Sequence, residues 1–183
     1  EDMEYSPVRE SCKFNRIRNN YITRTSLDNW GGGGLCLFQN VNSKVINNEI
    51  CDLAYTAIME GWGWWQTSQG AKNNLIANNY IHDVSKMLFD GGGIYTLGDL
   101  GDTHITENYV KHVRVGQIGL YSDQGTCHTT WNRNVIEDTM SNGNFDMDSK
   151  QYNTYEDNYS TTSYTGSSGN MGPGNVIKAA EVY

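Results

Sequence analysis

The chain has 183 residues, one domain's worth, with 37% hydrophobic residues, a mean hydropathy of -0.62 and a net charge of -8. Those values exclude a thick layered core and argue against nucleic acid, which needs clustered Lys and Arg, and against strongly acidic polysaccharides. Twelve Tyr and five Trp argue against disorder, and no apolar run approaches the roughly 18 residues of a membrane span.

Residues 1–14 read as a lead-in. From residue 15 one pattern recurs: an apolar residue, two others, Asn, one more, then usually an apolar residue. It appears as "IRNNYI" (17–22), "VINNEI" (45–50), "IANNYI" (76–81), "ITENYV" (105–110), "WNRNVI" (131–136) and, degraded, "YEDNYS" (155–160). The shared residues are Asn20, Asn48, Asn79, Asn108, Asn134 and Asn158, spaced by subtraction at 28, 31, 29, 26 and 24.

A second set of short runs lies between them: "GLCLF", "AIMEG", "GIYTL", "GLYSD" and "NFDMD". Taking Leu35, Ile58, Ile94, Leu120 and Phe145 as equivalent, each precedes the next anchor by 10, 18, 11, 11 and 10 residues. The outlier is absorbed by one insertion, "WGWWQTSQGAKNN". Two independent alignments agree, so the repeat is structural.

A period in the twenties with Asn and Gly corners predicts an all-β, right-handed parallel β-helix of about six coils over residues 15–160. Successive coils stack about 4.8 Å apart. The Asn column predicts an internal ladder, because a carboxamide both donates and accepts. That placement also discounts the glycosylation sequon at Asn158. A leucine-rich repeat is disfavoured by the low Leu content. Residues 161–183 read as a Ser/Gly-rich loop followed by "VIKAAEVY", a short strand or a helical turn. No N-terminal cap is evident, and an open coil end invites self-association.

The motifs "NNEICDLAYTAIMEGWGWW", "NNYIHDVSKMLFDGGGIYTLG" and "GLYSDQGT" together resemble secreted right-handed parallel β-helix proteins related to glycoside hydrolases. The resemblance covers roughly residues 15–160 and implies the C-terminal coils of such a module. It also implies an extracellular location and a carbohydrate partner, and points to the acidic residues of "DGGGIY" and "GLYSD".

Glycosidases need two carboxylates across the scissile bond. Asp90 and Asp123 come first as candidates, Glu60 third. Register places Glu60 and Asp123 about 9–10 Å apart if both face outward, although strict alternation turns one inward unless Gly61 permits a bulge. Asp90 meets Asp123 only if Gly91–Gly93 bend the chain, since an extended run leaves more than about 20 Å between them. The alternative for Asp90 is a corner carboxylate accepting backbone N–H bonds.

Trp62, Trp64 and Trp65 lie in the one inserted loop and suit the C–H faces of sugars, or else fold back over the sheet. Tyr95 and Tyr121 share an outward register on adjacent coils, as groove lining or as an aromatic ladder.

Cys12, Cys36, Cys51 and Cys127 form no CxxC pair, which disfavours zinc and leaves mostly buried free thiols as the expectation. His82, His104, His112 and His128 show no metal spacing within one element. No cofactor is expected; calcium at an acidic cluster including Asp146 and Asp148 is the minor option.

Three functions fit. The first is a glycoside hydrolase on a neutral poly- or oligosaccharide. The second is a non-enzymatic structural or carbohydrate-binding β-helix that assembles into filaments. The third is a polysaccharide lyase, disfavoured because the groove offers no basic residue beyond Lys86 and Arg114.

Overall fold

The computed structural model describes residues 11–67, 70–114, 118–137, 139, 141–143, 151–161, 176–177 and 181–182. Among them every paired strand is parallel and there is no helix. The strands wind into a β-solenoid with three long sides. The first sheet stacks Arg16–Arg18, Lys44–Ile46, Leu75–Ala77, Asp99–Thr106, Cys127–Asn132, Thr154–Glu156 and Val176–Ile177. The second stacks Tyr21–Thr23, Glu49–Cys51, Tyr80–Val84, Tyr109–Val113, Val135–Glu137, Tyr159–Ser160 and Glu181–Val182. The third stacks Leu35–Leu37, Ile58–Glu60, Gly92–Thr96, Ile118–Ser122 and Ser141–Gly143. About five turns are closed on all three sides, one fewer than the six ladder asparagines suggest.

The repeated hexapeptide is a bent corner and not a single strand. Its first apolar residue ends up on the first sheet, where Ile17, Val45, Ile76, Ile105, Trp131 and Tyr155 are register partners. Its last lies on the second sheet, in the column Ile22, Ile50, Ile81, Val110, Ile136 and Ser160. The bend between them comes from the residue just before each ladder Asn. Asn19, Asn47, Asn78, Glu107, Arg133 and Asp157 all have φ between 53° and 57°, the left-handed region.

The ladder asparagines explain why the corners hold register. Asn79 donates from Nδ2 to Asn108 Oδ1 (2.9 Å) and to the Val45 carbonyl (3.0 Å). Its Oδ1 accepts from Asn48 Nδ2 (2.9 Å) and the Asn48 backbone N–H (3.0 Å). Both donors and both acceptor directions of the buried carboxamide are used, which removes its desolvation penalty. The same pattern repeats through Asn48, Asn108 and Asn134. Asn158 is buried at the end of this column, bonded to Asn134 and the Trp131 carbonyl, which leaves its side chain no room for a glycan.

A second polar column runs beside the ladder. Asn15, Ser43, Asn74, Thr103, Thr129 and Asn153 each sit five residues before a ladder Asn, so they share its spacing. Side-chain oxygens of Ser43, Asn74, Thr103 and Asn153 accept the backbone N–H of the residue one coil earlier. Each is again preceded by a left-handed residue: Phe14, Asn42, Asn73, Asp102, His128 and Tyr152. Ser and Thr take the place of Asn where one accepted and one donated bond suffice, which hides the column in the sequence.

The core is a narrow column of Val, Ile and Leu. It widens in the later coils, where Trp131 stacks on Tyr155 at a centroid distance of 6.2 Å. Their polar ends are satisfied internally, by Thr129 Oγ1 (2.8 Å) and Ser122 Oγ (3.0 Å).

On the third sheet Leu35, Ile58, Ile94 and Leu120 are register partners, as expected. The fifth equivalence is corrected: Leu120 pairs with Gly143, while Phe145 lies outside the described residues. Residues 12–13, assigned to the lead-in, already pair with Asn40–Val41. In the C-terminal segment the described residues form two strands, Val176–Ile177 and Glu181–Val182. The four cysteines are free, but Cys12 and Cys36 are exposed, so only Cys51 and Cys127 match the expectation of buried thiols.

Replacing Asn79 by Ala removes four buried hydrogen bonds, to Asn48, Asn108 and Val45. The expected loss is about 4 kcal/mol in denaturant unfolding. Asn47→Gly, at an exposed left-handed position, is expected to cost less than about 1 kcal/mol.

Candidate functional site

Alternation along the third sheet decides which side chains face out. Leu37, Glu60, Thr96 and Ser122 form one inward column and Leu35, Ile58, Ile94 and Leu120 the other. Cys36, Met59, Tyr95 and Tyr121 occupy the outward column between them.

Glu60 therefore points into the solenoid, against the expectation that it faces the same groove as Asp123. It is 1% exposed, and Oε1 accepts from Asn74 Nδ2 (2.7 Å) and Thr103 Oγ1 (3.3 Å). Oε2 is buried without a hydrogen-bond partner. Burial pushes the carboxyl up to about 7, partly opposed by the Asn74 and Thr103 bonds. Gly61 has a φ of 85°, but the distortion falls after Glu60 and does not turn it outward.

Asp90 and Asp123 are brought to one face. Tyr95 and Tyr121 are register partners on adjacent coils, with ring centroids 5.1 Å apart at 87°, an edge-to-face pair and not a parallel ladder. The Tyr95 hydroxyl donates to Asp123 Oδ2 at 2.6 Å, and the Tyr121 hydroxyl to Asp90 Oδ1 at 2.9 Å. Each tyrosine thus grips a carboxylate belonging to the neighbouring coil. Tyr55 adds a bond from its hydroxyl to the Asp90 carbonyl. Burial, then the Asp123 hydrogen bond, then the charges of Asp123 and Asp90 raise the Tyr95 phenol far above its ordinary range. Tyr55 is raised by burial and by the same two charges. Both phenols stay protonated, as donors. Asp123 is 7% exposed, whereas Asp90 is open to solvent.

The bend that brings Asp90 into reach lies at Asp90 itself. An extended run would leave it about 16 Å along the strand from the Tyr95 register, beyond the reach of Tyr121. Asp90 has a φ of 60°, and none of Gly91–Gly93 is left-handed. The glycines serve clearance instead. A Cβ on Gly91 would lie 2.5 Å from the Tyr55 ring and from Thr56 Oγ1, and one on Gly92 2.3 Å from the Ile118 carbonyl. Gly91 lets Tyr55 lie against the turn, and Gly92 lets the next coil close.

The inserted loop runs along the corners of the two following coils. A Cβ on Gly98 would be 2.8 Å from the Trp62 carbonyl, and one on Gly125 2.7 Å from the Trp64 backbone. Gly125 is two residues past Asp123, so the Trp64–Trp65 backbone crosses the turn that follows that residue. The backbone is tucked in while the indoles of Trp62, Trp64 and Trp65 remain 46%, 51% and 56% exposed. Neighbouring rings meet at 6.5 Å, and Trp62 packs on Phe38 at 5.2 Å.

A protein-family model matching this chain was not found, and no curated protein matches it. A solved structure superposes on 96% of the chain with a TM-score of 0.71 and 28% identity. That structure is named "Glycoside hydrolase". The chain spans 27% of that protein's length, about a quarter. This likeness agrees with the β-solenoid and with a relation to β-helix glycoside hydrolases.

Stacking also gathers metal-capable groups that no sequence spacing announces. Glu49, Cys51 and His82 form one set and Asp99, Cys127 and His128 another, each with ligand atoms within 4.8 Å of one another. His82 is committed to Asp83 (2.7 Å) and Glu49 (3.3 Å) and stacks on Tyr80. Burial and the neighbouring Asp99 push the Cys127 thiol up to about 12, so with no cation beside it the group stays protonated at neutral pH, and a bound metal would have to displace that proton. Asp146 and Asp148, the minor calcium option, lie outside the described residues.

Glu60 carries a pH signature. Its folded value near 7 lies above the ordinary 4.5, so the folded state holds the extra proton between those limits. Its contribution is fully present below about pH 4.5 and lost as pH rises through 7, up to about 3 kcal/mol. Glu60→Gln is expected to flatten that loss and to stabilise the fold above pH 7 in thermal unfolding across pH 4–8.

Proposed function

We propose that this chain is part of a carbohydrate-active β-helix that hydrolyses glycosidic bonds in a neutral poly- or oligosaccharide. The observation that carries the reading is the crossed pair of tyrosines, which holds Asp90 and Asp123 on one outer face and on adjacent coils. Two carboxylates so placed suit the two roles glycoside cleavage requires. One protonates the leaving oxygen; the other activates water or attacks the anomeric carbon. Tyr95 and Tyr121 act as positioning residues, since their hydroxyls are spent on the carboxylates.

The three half-exposed indoles of the inserted loop support a sugar-binding role, because their apolar faces match sugar C–H faces and their edges remain wet. The structural neighbour named as a glycoside hydrolase supports the same class. The lyase alternative loses its bases. Lys86 pairs with Asp52, and Arg114 lies over the Phe89 ring at 5.0 Å while donating to the Lys86 carbonyl. Neither is a free proton acceptor beside the tyrosine pair.

The test is a panel of neutral glycans scored for new reducing ends. Asp90→Asn and Asp123→Asn are each expected to lower release at least about 100-fold. Trp64→Ala is expected to raise KM more than it lowers kcat. Glycan binding without release by the wild-type chain would favour the carbohydrate-binding alternative, and neither binding nor release would end the proposal.

A further inference from the structure

We infer that Asp99, Cys127 and His128 form a binding site for a divalent cation of the zinc class. The site lies where one coil's first-sheet strand stacks on the next. Asp99 and Cys127 are direct register partners. In a regular strand Cys127 and His128 would point to opposite faces. His128 has a φ of 56°, which breaks the alternation, and the three ligand atoms lie within 4.8 Å of one another.

The opposite strand is shaped around the same point. Its register jumps between Asp99 and Thr103, so that Leu100, Gly101 and Asp102 oppose His128 alone. That irregularity curls the backbone about the Asp99 carboxylate, whose Oδ1 accepts from Gly101 N–H (3.0 Å) and lies 2.9 Å from His128 Nδ1. The His128 ring is held flat against Tyr152, with centroids 5.1 Å apart and planes within 5°. Orientation of carboxylate and imidazole by such neighbours is what metal ligands require.

The donor set selects the cation. One sulfur, one imidazole nitrogen and one carboxylate oxygen match zinc and its analogue cobalt, and not calcium or magnesium, which take oxygen. Bonds of about 2.0–2.3 Å to a tetrahedral centre put neighbouring ligand atoms roughly 3.3–3.8 Å apart. The set closes onto such a centre by side-chain shifts of about 1 Å, leaving the fourth position to water. The other mixed set is poorer: His82 already has both ring nitrogens engaged, and the Cys51 sulfur lies at the Tyr21 hydroxyl (3.5 Å).

The consequence is a clamp between the coil bearing Asp90 and the coil bearing Asp123. Cys127 follows the Asp123 turn by four residues, and its N–H bonds to the Gly98 carbonyl at 3.2 Å. A cation here would cross-link the corner on which the tryptophan loop rests. The inference stands whether or not the chain cleaves sugars.

The experiment uses the full chain under reducing conditions, with the exposed Cys12 and Cys36 replaced by Ser. Chelator-treated protein is titrated with Zn²⁺ by calorimetry and with Co²⁺ by absorption. One equivalent of each is expected, with a thiolate-to-cobalt charge-transfer band and a rise in thermal midpoint with Zn²⁺. Cys127→Ser should remove the band. Cys127→Ser and His128→Gln should each weaken binding at least about tenfold, while Cys51→Ser should leave band and affinity unchanged. If Cys127→Ser does not fold by circular dichroism, His128→Gln, at a partly exposed side chain, decides. The inference is overturned by no saturable uptake, by cobalt binding without the thiolate band, by undiminished affinity in His128→Gln, or by loss of the band in Cys51→Ser.

Discussion

The buried asparagine carboxamide is the element on which the molecule depends. Each one in the middle of the column donates up to a backbone carbonyl of one coil and across to the carboxamide of another, and accepts two N–H bonds in return. No other side chain of that size offers two donors and two acceptor directions without charge. The ladder therefore locks the vertical register at one corner. The left-handed residue before each rung supplies the bend. The corner is pinned while the loops between rungs are not, so coils of 24 to 31 residues stack without losing register.

That locking makes the outer face chemically useful. Tyr95 and Tyr121 reach across coils because they are vertical neighbours, and each holds the carboxylate that the other's coil supplies. The longest coil spends its extra residues on a loop lying over the next two corners, which leaves three indoles exposed on the surface. Glu60 belongs to a different economy. It sits inside, in a column otherwise filled by Leu, Thr and Ser, and its buried carboxyl ties stability to pH.

Much of this was legible from residue order. A repeated apolar-x-x-Asn-x-apolar unit forces a period, and the period forces the columns that the structure contains. The second polar column is hidden in the sequence because Ser43, Thr103 and Thr129 stand in for Asn: a hydroxyl supplies one acceptor and one donor, which suffices there. Alignment of the short runs sets Phe145 opposite Leu120, but the strand there is Ser141–Gly143 and Leu120 pairs with Gly143. The glycine run of "DGGGIY" points to a bend at Gly91–Gly93. They are spacers, and the bend is the aspartate.

Residue order by itself determined the solenoid, its register and the pairing of Tyr95 with Tyr121, because these follow from period alone. Tertiary structure decided everything that depends on direction: Glu60 inward, Asp90 folded back to a phenol of the next coil, and Asp99, Cys127 and His128 drawn together. Direction is set by single left-handed residues and by the clearance between coils. Both are properties of backbone in three dimensions, and a one-dimensional pattern does not carry them.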